Sequence, residues 1–165
     1  MDEDCIVMTG NGFVDSMLSC KLSYAGKKGI RITHSVTTGL DGLENVDCCS
    51  LIGNLIDNGM EAAMKVAEEK RYLDLEISGD DDKILVRVRN AARPGVLTAD
   101  GFPESEKENR ELHGYGLKII RRIAAQYHGC LEISEEEGGL CAEVLLFRRT
   151  GSPNFQPDLP QMLTN

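Results

Sequence analysis

The chain has 165 residues, of which 41% are hydrophobic, enough for one packed core and too few for two ordinary domains. Eighteen Lys and Arg against 27 Asp and Glu leave a net charge of −9, which excludes a surface built to coat nucleic-acid phosphates. No apolar run reaches the length of a membrane span, and the acidic N-terminus reads as carrying no export signal. Six cysteines without C-x-x-C spacing fit a reducing cytoplasm, where Cys serves as a small hydrophobe.

The first residues, to about Gly12, read as irregular. Val14, Met17, Leu18, Lys21, Leu22 and Ala25 then recur at helical spacing, which predicts a helix stopped at Gly26. Alternation from Gly29 to Val36 predicts a half-buried strand, followed by a glycine-rich stretch over 38–42. Over 46–69 two apolar rows, Leu51, Leu55 and Ala62 beside Ile52, Ile56, Ala63 and Val66, predict one long helix. Residues 73–78 and 84–89 flank Gly79-Asp-Asp-Asp82, the pattern of an antiparallel hairpin. The aspartates lack the twelve-residue ligand pattern of a Ca²⁺ loop and read as an exposed turn.

The apolar pattern fails over 91–112, a stretch with Pro94, Gly95, Gly101, Pro103 and many charges, long enough to read as a lid. Gly114-Tyr-Gly116 is expected to open a helix carrying Leu117, Ile120, Ile123, Ala124 and Tyr127, with Gly129 at its C′ position. A hairpin over 131–134 and 141–147 follows, and the proline-rich tail over 150–165 reads as unstructured. Residues 1–149 are thus expected to form one domain. Its fold class is a two-layer α/β sandwich, a mixed and mostly antiparallel sheet covered on one face by helices.

Asn54, Asn58, Glu61 and Lys65 fall on one face of the second predicted helix, opposite the apolar rows. Asn and Asp compete for backbone hydrogen bonds and are mediocre helix formers, so two Asn with Asp57 between them call for a reason. A solvated polar face is one; a carbonyl ligand for a hard cation such as Mg²⁺ is the other, with Asn58 as the candidate. His113-Gly-Tyr-Gly-Leu117 places two glycines at an expected helix entry, where backbone can approach an anion closely. Lys118, in the first turn, opposes the helix dipole unless a phosphate is its partner; a solvated lysine is the alternative. His34 and His128 read as structural, His113 either as lining this site or as a hinge. Cys48 and Cys49 read as packing residues.

In order and spacing, Asn54-Leu-Ile-Asp-Asn58-Gly-Met-Glu-Ala62 and His113-Gly-Tyr-Gly-Leu-Lys-Ile-Ile120 resemble the N and G2 boxes of the GHKL-type ATP-binding domain of sensor histidine kinases. Val14-Asp-Ser-Met-Leu-Ser-Cys-Lys21, with Ala25, Gly29 and Ile30, and the strand ending Val88-Arg-Asn90 resemble the variant found in peptide-quorum-sensing receptor kinases. The resemblance covers roughly residues 10–147. It implies a Bergerat-type fold, ATP and Mg²⁺ as ligands, Asn58 on the metal, Asn54 facing the phosphates, and Gly114 and Gly116, with His113, Tyr115, Leu117 and Lys118, around the triphosphate. Asn90 stands where most relatives have an aspartate that accepts the adenine amine, and the paired glycines of that box are missing. An uncharged acceptor implies weaker nucleotide binding, unless Asn90 only starts a turn. Asn54 replaces the glutamate general base of gyrase-like relatives, and an amide takes no proton, so autonomous hydrolysis is expected to be slow.

The resemblance further implies transfer of the γ-phosphate to a histidine on a separate dimerisation domain, with a response regulator downstream, no nucleic-acid partner, and a cytoplasmic placement in a membrane receptor that dimerises through a missing N-terminal region. A stand-alone serine kinase of the anti-sigma type, or an interaction domain that has lost its nucleotide, would share the fold.

Overall fold

The computed structural model describes residues 6–97 and 110–150, and for 110–114 the backbone only. The elements run α1 (Gly12–Lys27), β1 (Arg31–Val36), α2 (Asn45–Met64), a single 3-10 turn (Glu68–Lys70), β2 (Tyr72–Gly79), β3 (Lys83–Ala91), α3 (Arg110–Gln126), β4 (Cys130–Glu136) and β5 (Gly139–Phe147). One five-stranded sheet has the order β1-β2-β3-β5-β4. β1 pairs parallel with β2, and all other pairs are antiparallel. This is the expected mixed, two-layer α/β arrangement.

Side-chain alternation sorts the sheet into two faces. Leu73, Leu75 and Ile77 of β2, Ile84, Val86 and Val88 of β3, and Val144 and Leu146 of β5 are buried in the core, where α1 contributes Val14, Leu18 and Leu22, α2 contributes Leu51, Ile52 and Ile56, and α3 contributes Ile120 and Ile123. The opposite face carries ion pairs. Arg87 donates to Glu143 on β5 at 2.7 Å and to Glu76 on β2 at 3.0 Å, opposite charges facing across adjacent strands.

Helix ends show why the elements stop where they do. The Asn11 side chain caps α1 by accepting from the Phe13 and Val14 N–H groups at 3.1 and 3.2 Å. Its other end runs one residue past the expected stop at Gly26. There Ile30 N–H bonds the Ala25 carbonyl and Gly29 N–H bonds that of Gly26, a Schellman closure in which Gly29 takes φ +73°. α2 ends at Met64, short of the 46–69 span read from its pattern. The Arg71 guanidinium donates to the carbonyls of Val66, Met64 and Lys28 and so satisfies acceptors that another helical turn would have used.

α3 begins at Arg110, a turn before the glycine pair expected to open it. Arg, Glu and Leu at its start are good helix formers, and a helix propagates through a glycine at a cost of about 1 kcal/mol. Of the expected lid over 91–112, Ala91 belongs to β3, residues 110–112 belong to α3, and 98–109 lie outside the described residues, as does the tail over 151–165. Between them Val96 donates its N–H to the Glu135 carboxylate at 3.0 Å.

At the far end of α3 the left-handed residue is His128, at φ 58°, and not Gly129. Gly129 serves a different need, since a Cβ there would lie 1.6 Å from the Leu145 carbonyl oxygen. Gly129→Ala is therefore expected to destabilise the fold by at least ~3 kcal/mol, because the obstacle is backbone. Gly26→Ala, whose added Cβ meets nothing within 4 Å, is expected to be neutral or slightly stabilising, by up to about 1 kcal/mol. Urea denaturation of the two variants checks the contrast.

Candidate functional site

The two asparagines of α2 meet α3 at a point where α3 has no side chain. A Cβ built on Gly116 would lie 3.2 Å from Asn54 Oδ1 and 3.3 Å from Asn58 Oδ1. Both carboxamides thus converge on Gly116, as one turn of α2 brings positions four apart onto one face. Asn54 Nδ2 donates to the Ser50 carbonyl at 2.6 Å, so its oxygen is the atom directed at Gly116. Asn54 and Asn58 are both partly exposed, so solvent reaches this face of α2 beside Gly116.

The next residue of α2 turns the other way. A Cβ on Gly59 would lie 3.3 Å from Asn90 Oδ1 and 3.4 Å from Asn90 Cβ. Asn90 continues the row of Ile84, Val86 and Val88 on the helix-facing side of β3, and is 5% exposed. It is one of two buried polar residues among those described, and its amide donates to the Ala91 carbonyl at 3.0 Å. Asn58 and Gly59 together therefore bridge Gly116 on α3 and Asn90 on the central strand. Gly59 was not singled out in the sequence, although a glycine inside a helical pattern is a signal of close approach.

Other candidates are placed elsewhere. Gly114 and His113 lie in the first turns of α3, where the backbone alone is described. Leu117 is half-buried and packs on the core. Tyr115 is 63% exposed, and Lys118 places its Nζ 5.8 Å from the centre of the Tyr115 ring. At about 100° per residue, Lys118 projects from the side of α3 roughly opposite Gly116. It is not brought to the Asn54 and Asn58 face. Asp57, between the two asparagines, turns toward α1 and holds Lys21 Nζ through both oxygens, at 2.7 and 2.9 Å. This ion pair, along with the approach of Met17 to Gly53, where an added Cβ would lie 3.6 Å from Met17 Sδ, was not legible from single-element patterns.

The spacing of α2 and α3 is fixed at their far ends. Buried Tyr127, just past α3, donates its hydroxyl to Asp47 at 2.6 Å and accepts from the Glu44 N–H at 2.9 Å, and Gln126 also reaches Asp47. Among the described residues no group of three or more His, Cys, Asp or Glu could hold a metal, so a cation at this site would depend on amide and ligand oxygens. Burial, with the nearby Cys49 and Asp47, pushes the Cys48 thiol up to about 12, in keeping with a packing role.

A model of the GHKL domain matches residues 43–147. The chain belongs to the GHKL domain family. The sensor histidine kinase DpiB of Escherichia coli (strain K12) is 23% identical over 101 residues, which are 58% of this chain and 18% of that kinase. The domain thus spans about a fifth of the length of the curated relatives it matches. Its fold matches the catalytic domain of histidine kinase ThkA, with a TM-score of 0.64 and 18% identity over 82% of this chain and 91% of that one. It also matches full-length ShkA in complex with AMPPNP, with a TM-score of 0.61 and 18% identity over 90% of this chain and 32% of that one. The five-stranded sheet with its helices is that of histidine kinase catalytic domains. Among the described residues, no helix of this domain is long and apolar enough to cross a membrane.

The Tyr127 bracket makes a pH-dependent contribution that can be measured. Burial, then the hydrogen bond to Asp47, raise the Tyr127 hydroxyl from 10.0 to about 12. The folded domain holds this proton more tightly than the unfolded chain does, so the contribution is complete below pH 10.0 and is lost as pH rises through about 12. Tyr127→Phe is expected to flatten the alkaline decline of stability in that window, as read by denaturant titration at a series of pH values.

Proposed function

We propose that this GHKL domain is the ATP-binding catalytic domain of a sensor histidine kinase. It binds Mg²⁺-ATP on the face where Asn54 and Asn58 of α2 meet α3 and presents the γ-phosphate to a histidine on a separate dimerisation domain. The observation that carries the reading is the pair of carboxamide oxygens, Asn54 and Asn58, directed together at Gly116 of α3, where a Cβ would crowd them.

The residues fit a hard cation with phosphate oxygens. Asn58 supplies one neutral oxygen ligand, which suits Mg²⁺, an ion that takes few protein ligands and completes its octahedron with phosphate and water. When bound, Mg²⁺ supplies charge neutralisation for phosphoryl transfer. Asn54 orients phosphate oxygens or water by hydrogen bonding; as an amide it removes no proton, so the domain stores ATP and does not rapidly hydrolyse it. Gly114 and Gly116 let the α3 backbone approach the triphosphate, with His113 and Tyr115 beside them at its border, while Leu117 packs on the core and Lys118 stands on the other side of α3. Asn90, under Gly59 at the end of β3, accepts from the adenine amine in place of an aspartate. That uncharged acceptor, with the α1 sequence around Lys21, supports a place in the peptide-quorum-sensing variant of these kinases, and it implies modest affinity. The domain then works on the cytoplasmic side of a receptor, with a response regulator as the next phosphoryl acceptor.

Calorimetric titration with ATP, with and without Mg²⁺, tests the reading. Mg²⁺-dependent binding is expected, weakened on the order of tenfold in Asn58→Ala and less in Asn90→Ala. Gly116→Ala is expected to weaken binding without lowering the melting temperature, since Ala is the better helix former and the added methyl crowds only the two asparagines. Silence of the wild-type domain at millimolar ATP with Mg²⁺ overturns the proposal and favours an interaction domain of the same fold.

A further inference from the structure

α1 is apolar on two sides. Val14, Leu18, Leu22 and Ala25 are buried in the core. Around the helix from them run Phe13, Met17, Cys20 and Tyr24, at spacings of 4, 3 and 4, the repeat of a helix–helix seam. Phe13 is 73% and Tyr24 55% exposed, Cys20 is exposed, and Met17 is only partly covered by its contact with Gly53 of α2. Two bulky aromatic side chains and a thiol on one exposed helix face lack a partner among the described residues that would cover them.

The spacing indicates what covers it. Read backward, 4, 3 and 4 is the same sequence of steps, so an antiparallel copy of α1 presents the same seam. A two-fold axis between Met17 and Cys20 sets Phe13 of each copy against Tyr24 of the other and Met17 against Cys20, a self-complementary contact of the kind an isologous dimer needs. Phe–Tyr pairs gain from edge-to-face packing beyond their burial. The flanking Ser16 and Ser23 are small enough to let two helices approach closely.

Charge runs the same way. The C-terminal end of α1 carries exposed Lys27 and Lys28, with Lys28 Nζ 5.2 Å from the Tyr24 ring centre. Near the N-terminal end lies exposed Glu44, the residue before Asn45, whose side chain is hydrogen-bonded to that of Asn11. An antiparallel pair puts the basic end of each copy at the acidic end of the other and opposes the helix dipoles favourably.

We propose that the exposed face of α1 is a self-association surface, on which a second copy of this domain docks antiparallel through Phe13, Met17, Cys20 and Tyr24. One helix face places the contact at the weak end of protein interfaces, under about 1,200 Å² in total. A dissociation constant on the order of 100 μM is expected, as suits domains held at high local concentration in one assembly.

Sedimentation equilibrium of the 165-residue chain over a rising concentration series reads the association directly. A reversible shift toward twice the chain mass is expected, weakened at least tenfold by Phe13→Asp with Tyr24→Asp. Both positions are exposed, so circular dichroism should show the variant folded. Short bismaleimide cross-linking in a Cys5→Ser, Cys130→Ser background supplies the second readout: a Cys20-to-Cys20 adduct is expected by peptide mass spectrometry. A chain that stays monomeric throughout overturns the proposal and leaves this face to a different helix; so does a dimer that the double variant does not weaken, or one cross-linked only elsewhere.

Discussion

The arrangement depends on two missing side chains. α2 packs on the sheet beside α3, and it touches each of them where a glycine permits it: Gly59 over Asn90 of β3, and Gly116 of α3 over Asn54 and Asn58. A methyl at either place would fall 3.1 to 3.3 Å from its nearest neighbour atoms, so the side chains there would have to give by a few tenths of an ångström. The polar groups of the candidate site are thus positioned by packing, and the acceptor oxygens are held by the rigid layers behind them. Placement on helix and strand, and not on loops, is what gives such a site its precision.

The hydrogen bonds around the two asparagines serve this positioning. Asn54 is pinned to Ser50, Asp57 is drawn to Lys21 on α1, and Tyr127 ties the end of α3 to the start of α2 through Asp47 and Glu44. Each takes a polar group near the two asparagines, or one that would leave a helix end loose, and commits it to structure. Asp57 shows this most clearly: it is the one acid between the two asparagines, and Lys21 neutralises it. The outer face of the sheet uses the same device, with Arg87 between Glu76 and Glu143, so opposite charges face one another across β2, β3 and β5.

Much of this was legible before any coordinates. The hydrophobic periods located every helix and strand, because a packed core forces period 3.6 on helices and period 2 on strands wherever one face is buried. Helix ends were less legible. α2 stopped at Met64 because Arg71, from beyond the helix, claims its carbonyls; α3 began at Arg110 because good helix formers outweigh two glycines; and the left-handed position after α3 went to His128 because β5 needed Gly129. Each of those choices is made by a residue distant in sequence or by a neighbouring strand, which a local pattern does not contain.

The sequence by itself determined the layer order, the core rows, and the presence of two asparagines and two glycines whose order marks the family, because these depend on composition and spacing along one element. The tertiary structure alone decided that Asn54 and Asn58 converge on Gly116, that Gly59 sets α2 on Asn90, that Lys118 projects away under Tyr115, and that a second apolar face of α1 is left exposed. Those are relations between elements, and they follow from how closely two backbones approach and how each helix is turned about its axis, quantities that interlocking side chains settle only when the whole core is assembled.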